Sequence, residues 1–265
     1  MMLAVRDLSI RFGDRVVVDR VGFTVPDGAR FGLIGGSGSG KSMTALAVLG
    51  LLPEGAEATG SIELDGVELL GLRERELARI RGRRIGTVFQ DPQTALNPLR
   101  PIGRQLAEPL LLHGMATRRE ARAEAVRLAA LVRLPDPERI VDLYPHQLSG
   151  GQRQRVAIGI ALACSPGLLL ADEPTTALDM TTQAAVLGLF DRLVEDTGAS
   201  LVFVTHDLAV LARISTEALV LSEGRAVESG PVARLLAAPQ HPVTAALVAA
   251  ARATSFTAGD GEGDA

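Results

Sequence analysis

Gly35-Gly36-Ser37-Gly38-Ser39-Gly40-Lys41-Ser42 places one ammonium and one hydroxyl at the end of a run of glycines and serines. The chain has 27 basic residues, and Lys41 is the only lysine among them. Glycines at this spacing let successive backbone N–H groups turn inward toward an anion. A lysine adds a compact point charge where an arginine would bring a wide planar fork. The pattern G-x-x-x-x-G-K-S is that of a loop that cradles phosphates. On this reading Lys41 reaches the β- and γ-phosphates of a nucleoside triphosphate, and the Ser42 hydroxyl ligates Mg2+.

A second set of chemistry-bearing residues is the run Leu168-Leu169-Leu170-Ala171-Asp172-Glu173. Four apolar residues make a buried strand, and two carboxylates emerge at its C-terminal edge, where open α/β sheets bind ligands. Asp172 is placed to hold Mg2+ through water, and Glu173 to polarise an attacking water as general base. Between the two sets lies Leu148-Ser149-Gly150-Gly151-Gln152, small residues ahead of a helix, which is a further anion site. One triphosphate does not need two such loops. The economical reading is that the second loop grips a nucleotide held by another subunit.

These groups need elements to position them. Residues 3–10 and 16–25 read as strands, and 30–35 as a short apolar strand running into the glycine loop. A helix over 41–52, stopped by Pro53, completes a strand–loop–helix unit. Residues 61–69 and 84–89 read as further strands. From about 91 to 164 helical periods dominate, at 101–113, 117–134 and 151–163, as in a helical insertion. Alternation then returns, with a strand at 168–172, a helix at 181–196, a strand at 201–205 and a helix from Leu208. That order implies a mainly parallel sheet with an N-terminal antiparallel portion. Ser222-Glu223-Gly224-Arg225 reads as a hairpin turn. Residues 254–265 are small, polar and acidic, and read as a disordered tail. Arg73, Arg75, Arg79, Arg81, Arg83 and Arg84, interleaved with Glu74 and Glu76, read first as a solvated helix face and second as a docking or anionic surface.

Composition excludes several classes. The net charge is −4 and aromatics are 3 % with no Trp, which argues against a nucleic-acid partner. Hydrophobic residues at 47 % give an aliphatic core. The single cysteine, Cys164, excludes an internal disulfide and an all-cysteine metal cluster, and reads as a small buried hydrophobe. No stretch reads as a bilayer span or a signal peptide.

Taken in order, these motifs resemble the nucleotide-binding subunit of an ATP-binding cassette (ABC) transporter. The resemblance runs from about residue 3 to 250 and implies a P-loop α/β domain over 1–253 with a helical subdomain at about 91–164. Gly35–Ser42 and Leu168–Glu173 match the family's Walker motifs, and Leu148–Gln152 its signature. Gln90, in Val88-Phe89-Gln90-Asp91-Pro92, matches the glutamine that senses Mg2+ and couples to the membrane partner. Asp179, in Thr176-Ala177-Leu178-Asp179, matches the loop that crosses the dimer interface. His206, in Thr205-His206-Asp207, matches the histidine that contacts the γ-phosphate. Read alone, Gln90 is a polar strand end and His206 a capping or solvated histidine. Phe12 matches the position where the family stacks an aromatic on adenine, and it reads equally as strand core. For Tyr144 and His146 the reading is packing.

The resemblance implies ATP and Mg2+ as cofactors, a second ATPase subunit, integral-membrane permease subunits and, indirectly, a solute-binding protein. The implied location is the cytoplasmic face of the cell membrane. The alternatives are a soluble non-transport ATPase of the same superfamily and an ATP-binding regulatory module without turnover. Gln90–Pro98, Tyr144-Pro145-His146-Gln147 and Gln240-His241-Pro242 are similar to the peptide and nickel importer branch. Gly36 and Val243 depart from it, standing where an acidic residue and a tyrosine are common. The short C-terminal segment leans toward nickel-type or otherwise specialised members.

Overall fold

The structure is a computed structural model that describes residues 2–90, 96–176 and 178–257, with side chains described as far as Ala253. The elements run β1 (Leu3–Phe12), β2 (Arg15–Val25), β3 (Arg30–Ile34), α1 (Lys41–Leu49), β4 (Ala56–Leu64), β5 (Val67–Glu68), α2 (Glu74–Ile80) and β6 (Ile85–Val88). They continue as α3 (Ile102–Leu112), α4 (Ala121–Leu131), α5 (Pro137–Ile140), α6 (Gly150–Leu162), β7 (Leu168–Asp172) and α7 (Met180–Thr197). Last come β8 (Ser200–Thr205), α8 (Leu208–Ile214), β9 (Glu217–Ser222), β10 (Arg225–Pro231), α9 (Val232–Ala237) and α10 (Pro242–Thr257). Two compact units divide the chain: Met2–Val25, Ala29–Leu70 and the chain from Phe203 in one, Pro26–Gly28 and Gly71–Val202 in the other.

In the first unit, β2-β1-β4-β5 form an antiparallel sheet. Leu3, Val5, Leu8 and Ile10 on β1 turn inward and are at most 2 % exposed, so the strand is fixed by its buried face. β3 pairs in parallel with β9, Phe31 opposite Glu217 and Ile34 opposite Val220. The hairpin expected at 222–225 joins β9 to β10, with Glu223 and Gly224 both in the left-handed region. Helix α8 lies directly on β3, because a Cβ on Gly32 would stand 2.1 Å from the Leu211 side chain. Ile34, Leu208, Leu211, Val220, Val232 and Leu235 form the aliphatic core there. Phe23 and Phe31 stack at 5.2 Å. The Gln240-His241-Pro242 stretch is tied to β10, where the Glu228 carboxylate accepts from the backbone N–H groups of Gln240 and His241 at 3.1 and 3.0 Å.

In the second unit, β6 and β7 run parallel, Ile85 opposite Leu168 and Val88 opposite Ala171. Among the described residues, helices α3 to α6 and a short 3-10 turn fill the stretch from Ile102 to Leu162, and no strand interrupts them. Helix α6 packs closely on β6, since a Cβ on Gly86 would meet the Ala161 carbonyl oxygen at 2.2 Å. Cys164, 4 % exposed, follows the Ala163 C-cap of that helix, and burial pushes its thiol up from the ordinary range. The arginine-rich α2 carries surface ion pairs, Arg73 with Glu76 and Arg81 with Glu74. Tyr144 and His146 stack on each other at 5.8 Å, at the surface and not in a core.

Among the boundaries that differ from the sequence reading, three stand out. The strand expected over 61–69 breaks at Asp65-Gly66, where both residues have positive φ and turn β4 into β5. The helix expected from 117 begins at Ala121, because Thr117 forms a turn whose N–H and hydroxyl both donate to Glu120 at 2.8 Å. Helix α10 continues to Thr257, past the Thr254 where the acidic tail was placed. The rest of that tail lies outside the described residues, as do Asp91–Ala95 of the glutamine-loop stretch and Ala177. Among the described residues, no helix is long and apolar enough to cross a membrane.

Candidate nucleotide site

The glycine loop leaves the buried end of β3 and enters α1 at Lys41. Its base is sealed. A Cβ on Gly35 would stand 2.2 Å from the Leu221 carbonyl oxygen and 2.6 Å from the Ser39 hydroxyl, so only glycine fits. Its rim, Gly36, Ser37 and Gly38, is exposed, and a Cβ on Gly36 would meet nothing within 4 Å. Gly40 caps α1 at φ +98°, a backbone that L side chains rarely adopt. No side chain caps this helix and its first turn holds no acidic residue, which leaves the positive end of the helix dipole toward the loop.

Lys41 is 5 % exposed. Its ammonium donates to the carbonyl oxygens of Gly35 at 2.8 Å and Gly36 at 2.9 Å, which folds the side chain over the loop. Ser42, next on the helix, is exposed. The tip of the β1–β2 hairpin abuts the loop: the Val17 carbonyl oxygen lies 3.1 Å from where a Gly40 Cβ would be. Phe12 closes β1 at that tip, half-buried and paired with Arg15, with exposed Val16 beside it. In the same unit, His206 is exposed just after β8. The cap of α8 is not His206 but Asp207, whose carboxylate accepts from the N–H groups of Ala209 and Val210.

In the second unit, Leu168 to Ala171 are at most 1 % exposed, and Asp172 and Glu173 emerge half-buried at the strand end. Glu173 has φ +46°, left-handed backbone directly before Pro174, where an extended conformation is the norm. Strain of this kind persists where surroundings over-determine it. The Glu173 carboxylate accepts from the Gln90 amide at 3.3 Å and from the Thr176 hydroxyl at 3.0 Å. The parallel β6–β7 register thus delivers Gln90 to Glu173. Thr176 was not singled out from the sequence, although its place three residues after the carboxylate is a local hydrogen-bonding signal.

Ser149 is the N-cap of α6. Its hydroxyl accepts from the Gln152 N–H at 3.3 Å, and the Gln152 side chain accepts from the Ser149 N–H at 2.9 Å. This reciprocal box fixes the turn. Leu148, 4 % exposed, anchors it, and Arg153 Nε donates to the carbonyls of Pro145 and Leu148. Gly150 has open space around it, whereas a Cβ on Gly151 would meet Thr182 at 2.5 Å. Asp179 caps α7, accepting from the Thr182 N–H at 2.9 Å and the Thr182 hydroxyl at 2.7 Å. Those two bonds, the hydroxyl first, hold the Asp179 carboxyl below the usual range.

Among the described residues, no group of three or more His, Cys, Asp or Glu could hold a metal by itself. The Ser42 hydroxyl, Asp172 carboxylate and Gln90 amide are all hard oxygen donors. Oxygen donors of this kind suit Mg2+ bound largely through phosphate oxygens and water, and they do not suit a softer transition metal.

The sequence profile of the ABC transporter family matches residues 18–176. The chain is 46 % identical over 254 residues to the probable peptide ABC transporter ATP-binding protein y4tR of Sinorhizobium fredii, covering 94 % of this chain and 76 % of that protein. It is 42 % identical over 252 residues to the oligopeptide transport ATP-binding protein OppD of Salmonella typhimurium, covering 94 % and 75 %. Among solved structures it resembles the dimeric ABC transporter cassette MJ0796, with TM-score 0.75, 32 % identity, and 88 % of this chain and 99 % of that one covered. A post-hydrolysis dimer of the same cassette bound to ADP and Pi matches at TM-score 0.75 and 30 % identity, covering 87 % and 98 %. With glycine loop, strand-end carboxylates and capped signature turn in family order, the chain belongs to the ABC transporter family.

Proposed function

We propose that this chain binds and hydrolyses ATP to drive import through separate integral-membrane subunits, with peptides as the solute class. The observation that carries this reading is the 46 % identity over 94 % of the chain to a peptide-transport relative, with Lys41 held in its glycine loop. On this reading residues 1–253 act as one nucleotide-binding domain at the cytoplasmic face of the membrane. The region around Gln90 to Pro98 transmits the motion of the dimer to the permease. Relatives of this kind weigh against a soluble, non-transport ATPase.

Lys41, backbone N–H groups of Gly35 to Gly40, and the dipole of α1 hold the phosphates. Phe12 supports the adenine. A second cassette, the same chain or a related one, closes head to tail so that its Ser149, Gly150, Gly151 and Gln152 meet the γ-phosphate. Asp179 lies in the segment that crosses to the partner. Mg2+ would take oxygen donors from Ser42, Asp172 and Gln90, and it supplies charge neutralisation on the phosphates. Glu173, oriented by Gln90 and Thr176, takes the proton of the attacking water, and His206 steadies the γ-phosphate. Catalysis is positioning and charge stabilisation, as phosphoryl transfer requires.

The test is reconstitution. The chain should co-purify with membrane subunits, and the assembly should release phosphate from MgATP faster when a peptide-loaded binding protein is added. Phosphate release by the membrane-subunit assembly that the peptide-loaded binding protein leaves unchanged would refute the peptide-import role.

A further inference from the structure

Two neighbouring glycines of the signature turn are glycine for different reasons. Around Gly150 there is nothing within 4 Å of a built Cβ, so the space beside it is free for an approaching group. Around Gly151 the space is taken by the Thr182 methyl, 2.5 Å from where a Cβ would stand. Real Cβ contacts do not occur that close, so the first turn of α6 rests directly on the first turn of α7.

Thr182 is held by two hydrogen bonds to one carboxylate. Its N–H donates to Asp179 at 2.9 Å, its hydroxyl donates to the same carboxylate at 2.7 Å, and it is half-buried. A β-branched side chain in a helix has little χ1 freedom, and the hydroxyl bond removes what remains. The methyl is therefore aimed at Gly151 by the Asp179 cap itself. On the far side, the Ser149–Gln152 box makes the turn carrying Gly151 equally stiff.

We infer that Thr182 is a positioning residue. It makes the Asp179 segment and the Ser149–Gly151 turn one rigid body, so that displacement of either is transmitted to the other. The inference rests on the reading that Ser149 to Gly151 meet the nucleotide, and it adds a residue with no contact to that nucleotide. The wedge is the methyl, and the hydroxyl only aims it. Val should therefore substitute for Thr182, and Ala should not.

The experiment is a double-substitution cycle on the full chain, reading kcat for MgATP hydrolysis and MgATP affinity separately, with thermal melts of each variant. Gly151→Ala should lower kcat, because its new methyl meets Thr182. Adding Thr182→Ala removes that methyl's obstacle and should restore roughly tenfold of the loss, the scale of coupling between touching residues. Thr182→Ala alone should lower kcat with MgATP affinity unchanged, and Thr182→Val should retain more of the rate than Thr182→Ala. If Gly151→Ala is equally slow with and without Thr182→Ala, or not slow at all, the wedge is refuted. If Gly151→Ala does not fold, the contrast between Thr182→Ala and Thr182→Val decides alone, and equal rates overturn the inference. Ser149→Ala separates the two levels: an unchanged rate there removes the signature reading itself, whatever Thr182 does.

Discussion

Replacing Lys41 with Ala tests the glycine loop most directly, and the size of the effect follows from the contacts the ammonium already makes. An ammonium and a phosphate oxygen about 4 Å apart attract by about 4 kcal/mol at the effective dielectric of a protein surface. The three N–H donors of Lys41 are already directed at Gly35 O at 2.8 Å, Gly36 O at 2.9 Å and Ser39 Oγ at 3.5 Å, so the phosphate takes the place of one of these charge-assisted hydrogen bonds. Such a bond contributes about 1.5–3 kcal/mol. The difference, about 2 kcal/mol, corresponds to roughly 30-fold in Kd. Calorimetric titration of MgATP into Lys41→Ala should therefore show affinity weaker by about that factor. Lys41→Arg should lose comparably, because its planar fork does not fit a pocket in which the native side chain is only 5 % exposed. Titration in low and moderate salt should give the same ratio, since a buried charge is little screened. Affinity of Lys41→Ala within about threefold of wild type would show that the loop does not use its lysine for phosphate, and the trade between carbonyl and phosphate would be wrong.

Other outcomes are equally concrete. Glu173→Gln should keep MgATP binding and slow phosphate release by about 10²–10⁴-fold, the usual contribution of a general base; wild-type turnover in a single-turnover assay would remove Glu173 from that role. Gly86→Ala should destabilise the second unit by roughly 1–3 kcal/mol, since its methyl would meet the Ala161 carbonyl oxygen at 2.2 Å, and an unchanged Tm would contradict the close packing of α6 on β6. The Asp179 carboxyl is held low by the Thr182 hydroxyl and N–H. A depressed folded pKa stabilises the native state above the unfolded value of about 3.9, and that stabilisation is lost as pH falls through the folded value. The stability gap between wild type and Asp179→Asn should thus be flat from neutral pH to about 5 and shrink below about 4 in denaturant titrations. A gap that persists at the lowest pH would count against the cap.

Much of this was legible because the signals are local. A buried apolar run ending in two carboxylates, Leu168 to Glu173, reads as a strand end, and β7 ends there. The Gly35–Ser42 spacing marks a loop between strand and helix, and it joins β3 to α1. The break at Asp65-Gly66 was also written in the chain, since Asp-Gly is a hairpin dipeptide, but the apolar residues on either side read as one strand. The turn at Thr117 was hidden for a similar reason: Thr and Glu three apart signal a helix start, while the periodicity extends past it. The contacts of the candidate site were not legible. That Gln90 donates to Glu173, 83 positions away, depends on the β6–β7 register. That Gly151 is closed by Thr182 depends on which face of α6 meets α7. Pairwise contacts between elements distant in sequence leave no periodic trace in either partner. The division of labour between His206 and Asp207 was likewise settled only by which side chain reaches the α8 N–H groups.

Cys164 has a practical consequence for anyone who wants to watch these parts move. It is the sole thiol of the chain, 4 % exposed, and burial pushes it up from the ordinary thiol range, which disfavours the thiolate that labelling reagents react with. The native chain is therefore a low-background host for single-site labelling. A cysteine introduced at Met180, 80 % exposed at the start of α7, or at Val16, 57 % exposed at the hairpin tip, becomes the one reactive handle. A spin label or fluorophore there would report on the α7 cap or on the hairpin tip without removal of any native residue from the core.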